Sequence, residues 1–183
     1  MNRTALIVVL SLLLMAHLPA AAQTGRVEYK ITTRTLDPAG LATLKSFLAK
    51  HSSSRIQDTI LIKYDFNKES CWDVLDTQSD EQVKQVLEQH GSWVKTAVES
   101  RPFISVFEFR EPGNKINKLK KWDQHIMIDS TRELYKLVFN KKTTCGSSAI
   151  ILPDGRFIVV HSDAHFEALI FTKDRIAEAL AKK

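Results

Sequence analysis

The sequence predicts an α/β sandwich, a central sheet with helices on both faces, parallel strands in its middle and an antiparallel hairpin at one edge. Strand-like and helix-like patterns alternate along the chain, and right-handed crossovers between parallel strands place such helices on the sheet faces. The run "TILIKYDF" begins with three successive apolar residues, which suits a strand covered on both sides, and "FISVFEF" reads as a second central strand. Near the C-terminus, "SSAIIL" and "RFIVVH" flank "PDG", a turn in which Gly155 can adopt the positive φ a hairpin needs.

Taken in order, the chain opens with Arg3, an apolar run "ALIVVLSLLLM" and the small residues Ala20 to Ala22. This is a secretory signal pattern over residues 1–22, leaving Gln23 first. The run is shorter than the roughly 20 residues a spanning helix needs, so no membrane span is expected. Residues 26–33 alternate Val27, Tyr29 and Ile31 with polar neighbours, as an edge or near-edge strand does. Asp37 then stands at an N-cap position with Pro38 at the first helical position, and Leu41, Leu44 and Leu48 recur at helical spacing. After the strand over residues 59–66, Ser79 and Gln82 form a capping-box pair ahead of the stripe Val83, Val86, Leu87, Val94 and Val98. His90 falls on that stripe and reads as a partly buried, satisfied histidine. "HIMID" and "STRELYKLVF" predict a short strand and a helix capped by Asp129 and Ser130. The last stretch, "AHFEALIFTKDRIAEAL", predicts one amphipathic helix with Ser162 or Asp163 as its N-cap.

The formal charge is +5, and removal of residues 1–22 takes away Arg3 and no acid, leaving +4. Basic residues concentrate only at "NKINKLKKW", residues 114–122, which reads as a solvated segment, and no nucleic-acid motif accompanies it. The mature chain of about 160 residues is long enough to bury a core without disulfides, so its two cysteines, Cys71 and Cys145, are optional for stability. In an exported chain two thiols pair more often than not where geometry permits. From the residues alone, Cys71 can be a reactive thiol, half of a disulfide or a small core residue.

"HSDAH" gathers His161, Asp163 and His165, all able to bind a divalent metal. His161 would end a strand while Asp163 opens a helix, which assigns them to strand-end and capping roles, and no metal is expected. There is no Ser-His-Asp grouping, Gly-rich phosphate loop or paired-carboxylate motif, and nothing in the sequence calls for a cofactor.

The order of elements, with Cys71 just after the first central strand and a "DG" hairpin before the last helix, resembles the thioredoxin-like superfamily. It is most similar to the exported thioredoxin-like and peroxiredoxin-like branch, where an extra strand and helix, here "HIMIDSTRELYKLVF", precede the closing hairpin. The resemblance covers nearly the whole mature chain and implies a single domain over residues 23–183. The fold it implies is a three-layer sandwich: a central mixed sheet, helices on both faces and a C-terminal hairpin plus helix. The family's first active-site cysteine falls on Cys71, its second on Val74, and its cis-proline near Ser147, so two of the three signature residues are absent here. Cys145 stands two residues before Ser147, in the loop that faces the active-site cysteine in this family. The resemblance thus implies a Cys71–Cys145 disulfide across the site, with Trp72 and Ser147 as candidate substrate-binding residues. Two roles stay open for it: thiol-disulfide exchange with a protein or small-molecule thiol through Cys71, or a structural bond in a non-catalytic binding or scaffold domain. Export places the protein in the periplasm or outside the cell.

Overall fold

The computed structural model describes residues 29–66, 75, 77–113, 121, 123 and 126–182. The signal-peptide reading of residues 1–22, and the residues Cys71, Trp72 and Val74, lie outside that set. Within it, six strands form one mixed sheet: β1 Ile31–Thr35, β2 Thr59–Asp65, β3 Ile104–Arg110, β4 Met127–Ile128, β5 Ser147–Ile151 and β6 Arg156–His161. Their order is β1-β6-β5-β2-β3-β4. β2 and β3 pair in parallel, as do β3 and β4, whereas β5 pairs antiparallel with both β2 and β6, and β6 in turn pairs antiparallel with β1. The predicted α/β sandwich is therefore the fold, a mixed sheet with a parallel centre, helices on both faces and a closing hairpin.

Side-chain alternation sorts the sheet into two cores. Ile60, Ile62 and Tyr64 of β2 point to one face, where they meet Leu44, Phe47 and Leu48 of helix α1 (Pro38–Ala49) and Phe139. Leu61 points to the other, into a cluster with Ile104, Ile150, Ile158 and Val160 under helices α2 (Asp80–Glu99) and α3 (Lys173–Ala181). A strand that feeds both cores must be apolar at consecutive positions, which is what "TILI" supplies.

The helix starts follow the capping chemistry read from sequence. The Asp37 carboxylate accepts the Gly40 amide at 2.7 Å with Pro38 in the first turn. Ser79 and Gln82 close both halves of the capping box, at 3.2 and 3.0 Å. Asp129 accepts the amides of Leu134 and Tyr135, while Ser130 makes no such bond, and the predicted helix is a single wide turn over Tyr135–Phe139 with π-type hydrogen bonding.

Three expectations are corrected. Of the strand expected over residues 26–33, residues 26–28 lie outside the described set, Tyr29 and Lys30 precede the strand, which runs Ile31–Thr35, and Ile31 is one of the more exposed apolar residues. On α2, Val83 is buried but Val86 is 43% exposed, so the stripe covers the sheet only in part. The final amphipathic stretch is two elements: a 3₁₀ turn Glu167–Ile170 and then α3, whose N-cap is Thr172, bonded to the Arg175 amide at 3.2 Å. The break arises because Phe166 takes a left-handed φ of 59° and Phe171 is extended, and both rings are buried under the sheet. Burying those rings outweighs the continuity of one helix.

Gly155 has φ +83°, and an added Cβ would collide with the Leu36 carbonyl oxygen, to which the turn is tied by the Leu36 amide at 2.9 Å from the Gly155 oxygen. Gly155→Ala is expected to destabilise the protein by about 1–3 kcal/mol, read as a lower urea midpoint. A stability equal to wild type would show that the turn does not hold this geometry.

Candidate functional site

On the α2 side of the sheet the apolar pattern stops partway along the strands. β2 continues from Leu61 to Lys63 and Asp65, β3 from Val106 to Glu108 and Arg110, and β5 carries Ser148 ahead of Ile150 on the same face. Register then makes these residues neighbours: Lys63 lies opposite Glu108 on one side and Ser148 on the other, and Asp65 lies opposite Arg110. The carboxyl ends of the parallel strands thus carry a buried charged layer, with Lys63 3%, Asp65 6% and Arg110 5% exposed.

Lys63 is the hub of this layer. Its ammonium stands 3.2 Å from Asp65 Oδ1 and donates to the backbone carbonyls of Asp163 and, at 3.4 Å, Cys145. The second Asp65 oxygen is 3.5 Å from Arg110. Buried ions need compensation of this kind, because desolvation costs several kcal/mol per ion.

The Cys145 loop is seated on that cluster. Cys145 has φ 61° and Gly146 φ 81°, and a Cβ on Gly146 would come within 2.6 Å of Asp65 Oδ1 and 2.7 Å of the Tyr64 oxygen. Only glycine lets the backbone approach so closely. Thr143 Oγ1 bonds the Gly146 carbonyl at 2.7 Å and shares a 2.9 Å bond with the buried Ser147 hydroxyl. Cys145 is half-buried, and its sulfur is in a disulfide and does not titrate.

"HSDAH" resolves into three separate roles. Asp163 is fully buried: its carboxylate accepts the Ser148 hydroxyl and the amides of His165 and Glu167, the latter two at 3.0 and 2.8 Å. It caps the 3₁₀ turn, whereas Ser162 caps nothing there. His161 Nε2 lies 2.8 Å from Thr32 Oγ1 on the edge strand, and burial lowers its pKa. His165 stays exposed at the rim.

Beside the charged layer, between α2 and β3, opens a cavity of about 560 Å³ whose lining includes Lys63, Asp65, His90, Trp93, Glu108 and His165. His90 Nε2 meets Glu108 Oε2 at 2.7 Å, and that bond raises the imidazole pKa against the opposing pull of burial. The satisfied, partly buried histidine expected from the helical stripe is what the structure places there. Lys63, Asp65, Glu108 and Arg110 were not anticipated as site residues. Their signal lies in the sequence all the same, as charges at alternate positions of two strands that are otherwise apolar.

The sequence matches no protein-family model, and no curated protein is significantly similar to it. Solved structures with some likeness include a secreted Mycobacterium tuberculosis disulfide oxidoreductase homologous to E. coli DsbE, 7% identical over 70% of this chain and 84% of that one, with a TM-score of 0.36. MTB DsbF, in mixed oxidised and reduced forms, is 9% identical over 68% of this chain and 82% of that one, with a TM-score of 0.40. A putative thioredoxin from Neisseria meningitidis is 12% identical over 85% and 91%, also at 0.40. At such identities and scores none of them assigns a residue or a reaction to this chain.

The raised His90 pKa has a direction in stability. The folded protein holds the proton more tightly than the unfolded chain, so the His90–Glu108 pair stabilises fully below the unfolded value near 6.5 and ceases to do so as pH rises through the higher folded value. Wild type is expected to exceed His90→Gln in unfolding free energy at pH 5.5, with the gap narrowing by pH 8.5. A gap that is constant with pH, or that widens toward pH 8.5, would refute this assignment.

Proposed function

We propose that the protein is an exported thiol-disulfide exchange protein whose redox pair is Cys71 and Cys145. The observation that carries the reading is the seat of Cys145: an oxidised cysteine in a left-handed loop, bonded through its carbonyl to the buried ammonium of Lys63 at the carboxyl ends of the parallel strands. The chain has two cysteines, which supports Cys71 as the partner. Strand ends at the centre of an open α/β sheet are where such folds keep their chemistry.

In this reading a thiolate of the reduced pair attacks a sulfur of a substrate disulfide, forming a mixed disulfide and expelling one substrate thiolate. The second cysteine then attacks the mixed bond, loses its proton to solvent and expels the other substrate thiolate. The pair is oxidised by two electrons and the substrate reduced by two; the reverse sequence donates a disulfide. Lys63, placed beside the loop, favours a thiolate over a thiol there. Ser147 and Thr143 act as positioning residues, since their hydroxyls bond each other and the loop, and Trp72 is the candidate substrate contact.

The alternative, a structural bond in a non-catalytic domain, draws support from the same loop, whose several hydrogen bonds would suit a rigid staple. The reduction potential separates the two. Equilibrating the mature protein with defined thiol-disulfide buffers and counting alkylated thiols by mass spectrometry is expected to give a potential above about −300 mV, whereas a structural bond lies below it. Lys63→Met is expected to lower the potential, because losing the ammonium destabilises the thiolate of the reduced pair. A potential below that limit would favour the structural reading, and alkylation of both cysteines without reduction would eliminate the pair altogether.

A further inference from the structure

A second groove opens at the opposite end of the sheet, where β2 begins, and the thiol chemistry makes no use of it. β2 is seven residues long, so Thr59 at the rim of the groove lies about 20 Å along the strand from Asp65 in the charged layer. Its volume is about 680 Å³, within the range of small-molecule sites. The walls are apolar, with Leu61, Ile104 and Ile150 from the sheet, Phe171 below them, and Ile176 and Leu180 from α3.

The polar lining is one-sided in charge. Arg101, Arg156 and Lys173 face the groove together with two threonines, and among the described residues no aspartate or glutamate does. Arg156 is paired with Asp154 at 2.6 Å. Arg101 is bonded only to backbone carbonyls, those of Ala97 at 3.2 Å and Leu169 at 2.6 Å, which fix the guanidinium in place without neutralising it. Burial there lowers its pKa, as an uncompensated cation requires. The Lys173 ammonium hangs 5.9 Å above the ring of Phe103, itself 47% exposed at the mouth of the groove. A held cation with N–H groups to spare beside an apolar channel calls for an anionic head and a hydrocarbon tail.

We propose that this groove binds a single long-chain aliphatic carboxylate, with Arg101 and Lys173 holding the carboxylate and the α3 wall covering the chain. A peptide fits less well, because its backbone amides would need partners along walls that are apolar over most of their length. An unbranched hydrocarbon leaves no such group unpaired.

Calorimetry on the purified mature protein with dodecanoate, kept below its micelle concentration, tests the assignment. Saturable one-to-one binding is expected. Arg101→Gln and Lys173→Gln should each weaken it by about tenfold, the loss of one charge-assisted hydrogen bond. Ala177→Trp, an exposed helical position on the groove wall, should block the tail and abolish binding. Dodecyltrimethylammonium and dodecyl maltoside should bind at least ten times more weakly than dodecanoate, and butyrate not at all. Should Arg101→Gln fail to fold, Lys173→Gln and Ala177→Trp decide the matter, since both positions are exposed. Absence of saturable dodecanoate binding, equal binding of the cationic or uncharged detergent, or affinity unchanged in Lys173→Gln and Ala177→Trp would each overturn the proposal.

Discussion

The buried ammonium of Lys63 is the constraint around which one end of the molecule is arranged. A lysine in the middle of a central strand cannot reach solvent, so its charge must be met where it stands. Asp65 supplies the countercharge, and the remaining donors go to two carbonyls, one from the loop before β5 and one from the loop after β6. Those loops are about twenty residues apart in sequence, and satisfying one side chain brings both over the same strand end. Gly146 is the residue that makes the approach sterically feasible.

The backbone of these two loops records the cost. Cys145, Ser162 and Phe166 all have positive φ without being glycine, and all three lie in the loops that converge on Lys63 or on the turn that Asp163 caps. Left-handed conformations of this kind persist where surrounding contacts over-determine them. Here the contacts are identifiable: the Thr143 bonds to Gly146 and Ser147, the Asp163 amide on the Gly146 carbonyl at 3.2 Å, and the Ser148 hydroxyl between the Asp163 carboxylate and the Ala168 amide. Strain concentrated around an oxidised cysteine is held by these contacts, which keep the loop in one geometry over the strand end.

One face of the sheet therefore has two chemistries along its length. At the carboxyl end of β2 the side chains are charged and paired; at the amino end they are aliphatic and lie open beneath α3. The 3₁₀ turn between the two ties them mechanically, since its N-terminus is capped by Asp163 and its Leu169 carbonyl holds Arg101. Arg175 reinforces the link by pairing with Glu167 at 2.6 Å and covering the Phe171 ring.

What the sequence determined by itself was everything governed by local chemistry and short-range period. The alternation of strands and helices, the Asp37 and Ser79 caps, the "PDG" hairpin and the doubly covered β2 were legible because each depends on neighbours within a few residues. His90 was legible as a satisfied histidine from its place on a helical stripe, though not its partner, since Glu108 is on another element. The tertiary structure alone decided which strands became neighbours, and with that the charged layer: Lys63 meets Glu108, Ser148 and the Cys145 loop only because β3 and β5 flank β2 in register. It also decided the fate of the last amphipathic stretch, where the helical period was real but burying Phe166 and Phe171 broke the helix at Thr172. Long-range pairing and packing set these outcomes, and a pattern read along one dimension contains their ingredients without their distances.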